Sequence, residues 1–390
     1  MFREPIRGHI RLVVIQATSF CNIDCKYCYL ANRSVNKAVS HEVLTDIQQW
    51  LNRSQRLSPT LTISWHAGEP LILASSFFEA AFQLFSSDLL PVKHVQHSVQ
   101  TNGTLVSSEH CKVFKAFSTN VGVSLDGPRH IHDRNRVTRH GHGTFDKVVE
   151  GVKRLQDYGI PVSVIAVVGE QTFDEPDAFY QFFAELGIPV VGINVQEIEG
   201  VNSASYIGED RYLAKYKSFL KRVFYLSCSD GRVGIRELMQ SLVGIRGGRE
   251  QHSSEAEPFY IMSFTSGGDY STFSPELLDQ VSERYGSFQF GNVRTDTFDD
   301  LTKNKGFLIV AGDIAQGVIK CSKECSYFRV CGGGAPANKL GEHGGFAYTQ
   351  TAYCRFTKMA NHDVILDLFD EHPNLVGSLA NTSWWTREFR

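Results

Sequence analysis

An α/β fold built on a parallel sheet is what this sequence predicts, and three observations predict it. Six segments rich in Val and Ile recur through the first half of the chain, at 11–16, 61–66, 94–100, 120–125, 162–168 and 190–195, and read as strands. Helical patterns fill the gaps between them, at 40–52, 75–85, 107–117, 144–158 and 175–186. The boundaries carry stop signals: the 144–158 segment sets Phe145, Val148, Val149, Val152 and Leu155 along one side and ends before Gly159 and Pro161. Strands joined through helices pair in parallel, and such sheets carry their chemistry at the C-terminal strand ends. Six strand-helix units fall short of the eight that close a barrel, so an incomplete (β/α)6, TIM-like barrel is expected.

The remaining segments differ in pattern. From 208 to 242 the chain turns helical without strands, with Tyr212, Tyr216, Phe219, Leu220, Val223 and Phe224 forming an amphipathic connector. Beyond the polar stretch 247–257, short strands, glycines and four more cysteines mark a second unit. The expected organisation is a barrel over 1–207, a helical bridge over 208–257, a small cysteine-rich domain over 258–368 and a tail over 369–390. The pair Trp384 and Trp385 in that tail is left without a role.

Composition excludes several classes. A length of 390 residues suggests two or three domains at about 150 residues each. Net charge is −3, with 39 Lys+Arg against 42 Asp+Glu, so no positive field is available for a phosphate backbone, and nucleic acid is excluded as a first reading. Arg3, Glu4 and Arg7 interrupt the N-terminus, which removes a typical secretory signal, and no apolar run reaches membrane-spanning length. Nine cysteines, clustered towards two ends with Cys111 and Cys228 alone between, read as metal ligands in a reducing compartment. A cytoplasmic location is expected.

Directly after the first strand comes Cys21-Asn22-Ile23-Asp24-Cys25-Lys26-Tyr27-Cys28. A closed zinc site or a fully protein-ligated four-iron cluster wants four ligands, whereas three thiolates on a [4Fe-4S] cluster leave one iron open. A zinc knuckle completed by His41 is the competing reading. The C-x3-C-x2-C spacing, with an aromatic residue before the last cysteine, resembles the signature of the radical S-adenosylmethionine (SAM) enzymes. That resemblance implies an open iron that chelates the amino and carboxylate groups of SAM.

Further motifs carry the same resemblance. His66-Ala67-Gly68-Glu69-Pro70 after the second strand is similar to the Gly-Gly-Glu-Pro loop that holds the SAM amino group, with Ala67 in place of the first glycine. An ammonium needs main-chain carbonyls and a carboxylate, and glycine allows close approach. Gln100-Thr101-Asn102-Gly103 and Ser124-Leu125-Asp126-Gly127 follow the third and fourth strands, and they resemble pocket-lining segments of peptide-modifying members of the family. Among the loop arginines Arg136 is the expected partner of the SAM carboxylate, with Arg134 and Arg139 as competitors. Glu197 and Glu199 end the sixth strand, where they face substrate or cap the rim.

Cys321, Cys325, Cys331 and Cys354 surround Gly332-Gly333-Gly334 and can complete a second [4Fe-4S] cluster without an open site, tetrahedral zinc being the alternative. The arrangement resembles the SPASM domain of radical SAM peptide maturases, which usually holds two auxiliary clusters. Here Ala335 occupies the next cysteine position and no cysteine lies between Cys228 and Cys321, so one auxiliary cluster is expected. Thr272-Phe273-Ser274-Pro275-Glu276-Leu277, the Cys331–Pro336 run with Asn338 and Lys339, and Thr351-Ala352-Tyr353-Cys354-Arg355 resemble maturases that form three-residue cyclophanes, the glycine-rich-repeat type in particular.

That resemblance implies a ribosomally made precursor peptide as substrate, a 5′-deoxyadenosyl radical that takes a β-hydrogen, and a bond from that carbon to an aromatic ring. It also implies a reductant such as flavodoxin or ferredoxin. A sulfatase-type (formylglycine) or thioether-forming maturase is the alternative within the same chemistry. A non-catalytic iron-sulfur or zinc protein is the alternative outside it.

Overall fold

The computed structural model describes residues 8–384, apart from 32, 88, 199, 203–204, 248–251, 380–381 and 383. Six parallel strands in consecutive order form its centre: β1 Ile10–Ile15, β2 Leu57–Trp65, β3 His94–Thr101, β4 Asn120–Ser124, β5 Val162–Val168 and β6 Val190–Val195. Between them lie α1 His41–Ser54, α2 Ser75–Ser86, α3 Ser108–Ala116, α4 Arg129–Asn135, α5 Phe145–Asp157, α6 Glu170–Phe173 and α7 Pro176–Glu185. The sheet is open, as six units require, and the expected strands are found. Only β2 starts well ahead of expectation, because Pro59 within it reads as a breaker in the sequence.

Local chemistry sets the boundaries. Ser40 caps α1 by accepting from the Val43 amide, and Val43, Leu44, Ile47, Trp50 and Leu51 form its buried face. α5 buries Val148, Val152 and Leu155, and the chain leaves it through Gly159 at φ +72°. Trp65 at the end of β2 packs against Phe77, Phe78, Phe82 and Phe85 of α2 with ring centroids 5.8–6.1 Å apart, which clamps that helix to the sheet.

The region after β6 departs from expectation. α8 Asp210–Ser229 and α9 Arg236–Gly247 are separated by a short strand, β7 Gly234–Ile235, which pairs in parallel with β6. The bridge therefore contains a strand, too short to show any alternation in sequence. The cysteine-rich segment does not form a sheet of its own either. β8 Ile261–Phe264 pairs in parallel with β1, β9 Asp269–Thr272 pairs antiparallel with β8, and a ten-stranded sheet results. β10 Val281–Ser282 and β11 Gly286–Ser287 make a separate hairpin, and β12 Gly291–Asn292 is the sheet's edge beside β9.

The remainder is helical: α10 Phe298–Lys303, α11 Lys305–Glu324, α12 Phe328–Cys331, α13 Pro336–His343, α14 Ala352–Cys354, a π-helical turn Arg355–Met359, α15 Ala360–Glu371 and α16 Asn374–Ser378. Trp384 packs back on the chain, fully enclosed, with its indole N–H donating to the Ser227 carbonyl at 3.2 Å. Trp385 lies outside the described residues. Among the described residues no helix is long and apolar enough to cross a membrane.

Trp50 joins the two halves. Its ring meets Phe264 of β8, Tyr270 of β9 and Phe298 of α10 at 5.8, 4.8 and 5.6 Å, and its N–H donates to the Asp296 carbonyl at 3.0 Å. Trp50→Ala is expected to cost about 3–5 kcal/mol. Guanidinium unfolding of the variant should show a lower midpoint with a single transition, since barrel helix and C-terminal strands lose the same contact.

Candidate active site

The loop from β1 to α1 carries the three thiols and is stitched in place by main-chain hydrogen bonds. Asp24 N–H donates to the Val137 carbonyl at 2.7 Å, Lys26 N–H to Asn135 at 3.0 Å, and buried Ile23 plugs the loop underneath. Cys21, Cys25 and Cys28 line one cavity of about 370 Å³ at the C-terminal ends of the strands. Ala67, Gly68, Gln100, Asn102, Ser124 and Arg136 line the same cavity. The fold thus brings together most of the residues expected to bind cofactor.

Donors face the sulfurs. Asn102 Nδ2 lies 3.7 Å from Cys21 Sγ, Arg136 Nη1 lies 3.8 Å from Cys25 Sγ, and Arg33 is held beside the thiol loop by an ion pair with Asp24 at 2.7 Å. Burial pushes the free thiols up, Cys21 to about 11 and Cys25 to about 12, so they are neutral until a metal takes them as thiolates and releases their protons. Three gathered thiols with cationic and amide donors beside them suit an anionic iron-sulfur cluster.

Two of the residues expected to bind cofactor, Asp126 and Glu69, do not line the cavity. Asp126 is fully buried and serves as a hub. Its Oδ1 accepts from Arg136 Nε at 2.9 Å and the Val167 amide at 3.0 Å, and its Oδ2 accepts from Tyr27 O–H at 2.5 Å. His132 supports it, accepting from the Asp126 amide at Nδ1 and donating from Nε2 to Thr144 Oγ1 at 3.0 Å. Arg136 is thereby fixed over the Tyr27 ring with its guanidinium pointing at Cys25.

Glu69 is likewise withdrawn. Its oxygens accept from the Leu71 amide at 2.9 Å, Thr101 Oγ1 at 2.6 Å and the Asn102 amide at 2.7 Å, so it ties the β2 loop to the β3 loop, and the main chain of Ala67 and Gly68 faces the cavity instead. Ala67 sits at φ +73°, a conformation that costs an alanine about 1–2 kcal/mol. That strain explains why glycine is usual there. At Gly68, a Cβ would fall 2.4 Å from the Thr18 carbonyl, so only glycine fits.

The second thiol set closes on a small cavity lined by Cys321, Cys325, Cys331, Cys354 and Lys339. α11 supplies Cys321 on its last turn and ends at Cys325. Gly332, Gly333 and Gly334, at φ +72°, +110° and +73°, reverse the chain between Cys331 and α13. Cys354 precedes the π-helical turn.

A third cavity, about 640 Å³, lies between the other two. It shares Glu197, Asn194 and Glu276 with the first, and Cys331, Gly334, Ala335, Tyr353 and Lys358 with the second. Glu197 therefore faces open space as expected of a rim residue; Glu199 lies outside the described residues. Glu197 Oε2 accepts from Asn338 Nδ2 at 2.5 Å, and burial together with Glu276, Glu255 and Glu342 pushes its carboxyl up to about 8. Glu276 is raised to about 7 by burial and by Glu255. In the sequence Glu276 and Asn338 stand within motifs that assign them no place in a site, and Glu255 and Arg33 carry no motif signal. Their convergence depends on contacts across the whole chain.

The radical SAM superfamily model matches residues 15–198, the segment that carries the three thiols and the strand-end loops. The chain belongs to the radical SAM superfamily. The protein sll1766 of Synechocystis sp., described as uncharacterized, is 38% identical over 371 residues, 93% of each chain. A serine-type anaerobic sulfatase-maturating enzyme of Bacteroides thetaiotaomicron is 26% identical over 365 residues, 86% of this chain and 84% of that one. The solved structure of native anSMEcpe with bound AdoMet and Cp18Cys peptide matches at TM-score 0.75 and 22% identity over 96% of this chain and 99% of that one, a likeness of fold.

Radical SAM membership implies a [4Fe-4S] cluster and SAM, and the thiols and donors of the first cavity fit that pair. Asp126→Asn removes the charge opposite buried Arg136 and is expected to cost about 3–5 kcal/mol. Denaturant titration and iron analysis of the variant check this, with iron content falling as Arg136 leaves Cys25. Glu69 gives a pH dependence. Burial outweighs its three hydrogen bonds and raises its carboxyl from 4.5 to about 7. A proton is then held more tightly in the folded chain, so stability falls as pH rises from about 4.5 to about 7, by roughly 3 kcal/mol from this group, and levels off above. Unfolding midpoints of Glu69→Gln measured across that window should vary less than those of the native chain.

Proposed function

We propose that this radical SAM enzyme is a peptide maturase that removes a β-hydrogen from a residue of a ribosomally made precursor and joins that carbon to an aromatic ring two residues earlier, forming a three-residue cyclophane. The observation that carries the peptide reading is the continuous run of cavities from the first thiol set past Glu197 and Glu276 to the second. Its middle section is too large for SAM alone to be its purpose; it meets the first cavity at Asn194, Glu197 and Glu276 and reaches the second thiol set at Cys331. The peptide held by anSMEcpe, whose fold this chain shares, supports the same class of substrate.

Cys21, Cys25 and Cys28 would hold the cluster that reduces SAM, and SAM would supply the 5′-deoxyadenosyl radical. The chain's own residues provide the rest. Ala67 and Gly68 offer main-chain oxygens to the SAM ammonium, Gln100 and Ser124 are locked together at 3.1 Å on the cavity wall, and Arg136 balances negative charge at Cys25. Glu197, with Oε1 left beside the Asn338 bond on Oε2, exchanges a proton with the peptide near neutral pH. Cys321, Cys325, Cys331 and Cys354 would hold one auxiliary [4Fe-4S] cluster, which would supply an acceptor for the second electron.

The cyclophane assignment over other maturations rests on the Thr272–Leu277 and Cys331–Pro336 motifs and on the single auxiliary thiol set; Cys111 and Cys228 are both buried in the core. Sulfatase-type oxidation of a Cys or Ser is the second reading, favoured by the named relative in Bacteroides. High-resolution mass and fragmentation of a candidate precursor after anaerobic co-expression separates them. Loss of two hydrogens per cross-link, confined to segments that begin with an aromatic residue and absent with Cys21→Ala, Cys25→Ala, Cys28→Ala enzyme, is the expected result. Conversion of a Cys or Ser to an aldehyde would instead assign the sulfatase-type reaction.

A further inference from the structure

Lys339 on α13 is among the least exposed charged groups in the chain, with 4% of its surface accessible. Its Nζ lies 3.5 Å from Cys321 Sγ, and among the described residues no carboxylate pairs with it. Removing an ammonium from water costs several kcal/mol unless an anion compensates. The fold makes room for this one. Gly317 stands in mid-α11 facing it, and a Cβ there would fall 3.2 Å from Lys339 Nζ and 2.2 Å from the Phe346 carbonyl. The Phe346 carbonyl alone excludes a side chain at this position, and the ammonium lies in the space beside it. Lys339 also pulls against the upward push that burial exerts on the Cys321 thiol.

We propose that Lys339 is a built-in counter-charge that raises the reduction potential of a cluster held by Cys321, Cys325, Cys331 and Cys354. The inference rests on the reading of that set as a four-iron site. One-electron reduction adds a negative charge to such a cluster, and a fixed cation against one of its sulfurs, away from water, favours the reduced form. The charge makes the second site a better electron acceptor than the same four thiols would make alone. Lys339 acts through the cluster and does not touch substrate, so it is a positioning residue.

The test is potentiometric EPR titration of the full-length chain reconstituted anaerobically with iron and sulfide, in the Cys21→Ala, Cys25→Ala, Cys28→Ala background so that only the second site responds. Lys339→Met should shift the midpoint to lower potential with iron content unchanged, Lys339→Arg should stay near the starting value, and Lys323→Met on the exposed face of α11 should shift it less. An unchanged midpoint in Lys339→Met with iron retained overturns the inference while leaving the four-iron reading intact. Absence of iron from the starting background overturns the reading and the inference together. Should Lys339→Met lose iron, Lys339→Gln replaces it and is judged by the same midpoint.

Discussion

Arg136 is the buried cation around which the first site is arranged. Its guanidinium is held by Asp126, lies over the Tyr27 ring and reaches Cys25, so one side chain connects the thiol loop, the end of β4 and the loop after α4. A charge this deep costs several kcal/mol to desolvate, and only a full set of partners offsets it. Asp126 supplies the charge and also accepts from Val167 at the end of β5 and from Tyr27. The pair thereby fixes the relative positions of two strand ends, the loop after α4 and the thiol loop, which is the geometry a shared cofactor requires.

Glu69 plays the corresponding part on the other side of the cavity with hydrogen bonds instead of an ion pair. By engaging the amides of Leu71 and Asn102 it brings the β2 and β3 loops into one wall, and Asn102 passes the constraint on to Asn22 and Cys21. Both conserve a simple division of labour: carboxylates brace the walls, while main chain, amide and thiol groups face the open space. The price is strain at Ala67.

The second half of the chain is bound to the first through the sheet. β8 lies against β1, and Trp50 of α1 packs on β8, β9 and α10, so the strands and helix that lead into the second thiol set are anchored on the barrel sheet. The large middle cavity is a product of this union. Its walls come from the end of β6, from α9, from the segment after β9 and from α13 and α15. Glu197 and Glu276, far apart in sequence, border it together, and burial, helped by the charge of Glu255 on each, raises both carboxyls.

The sequence by itself determined the repeating strands and helices of the barrel, the thiol loop and the strand-end motifs, because each is written in local signals: β-branched runs, capping residues, close cysteine spacing and glycines where the backbone must turn. It left Asp126 and Glu69 facing a cofactor, since a carboxylate in a strand-end loop reads the same whether it points into the cavity or away from it. Only the tertiary structure decided those directions, joined β8 to β1 in one sheet, brought Glu276 to the same cavity as Glu197, and set Asn338 beside Glu197, 141 positions away, and Lys339 beside Cys321 on another helix. Burial and long-range pairing fix such groups, and neither leaves a periodic trace in the chain.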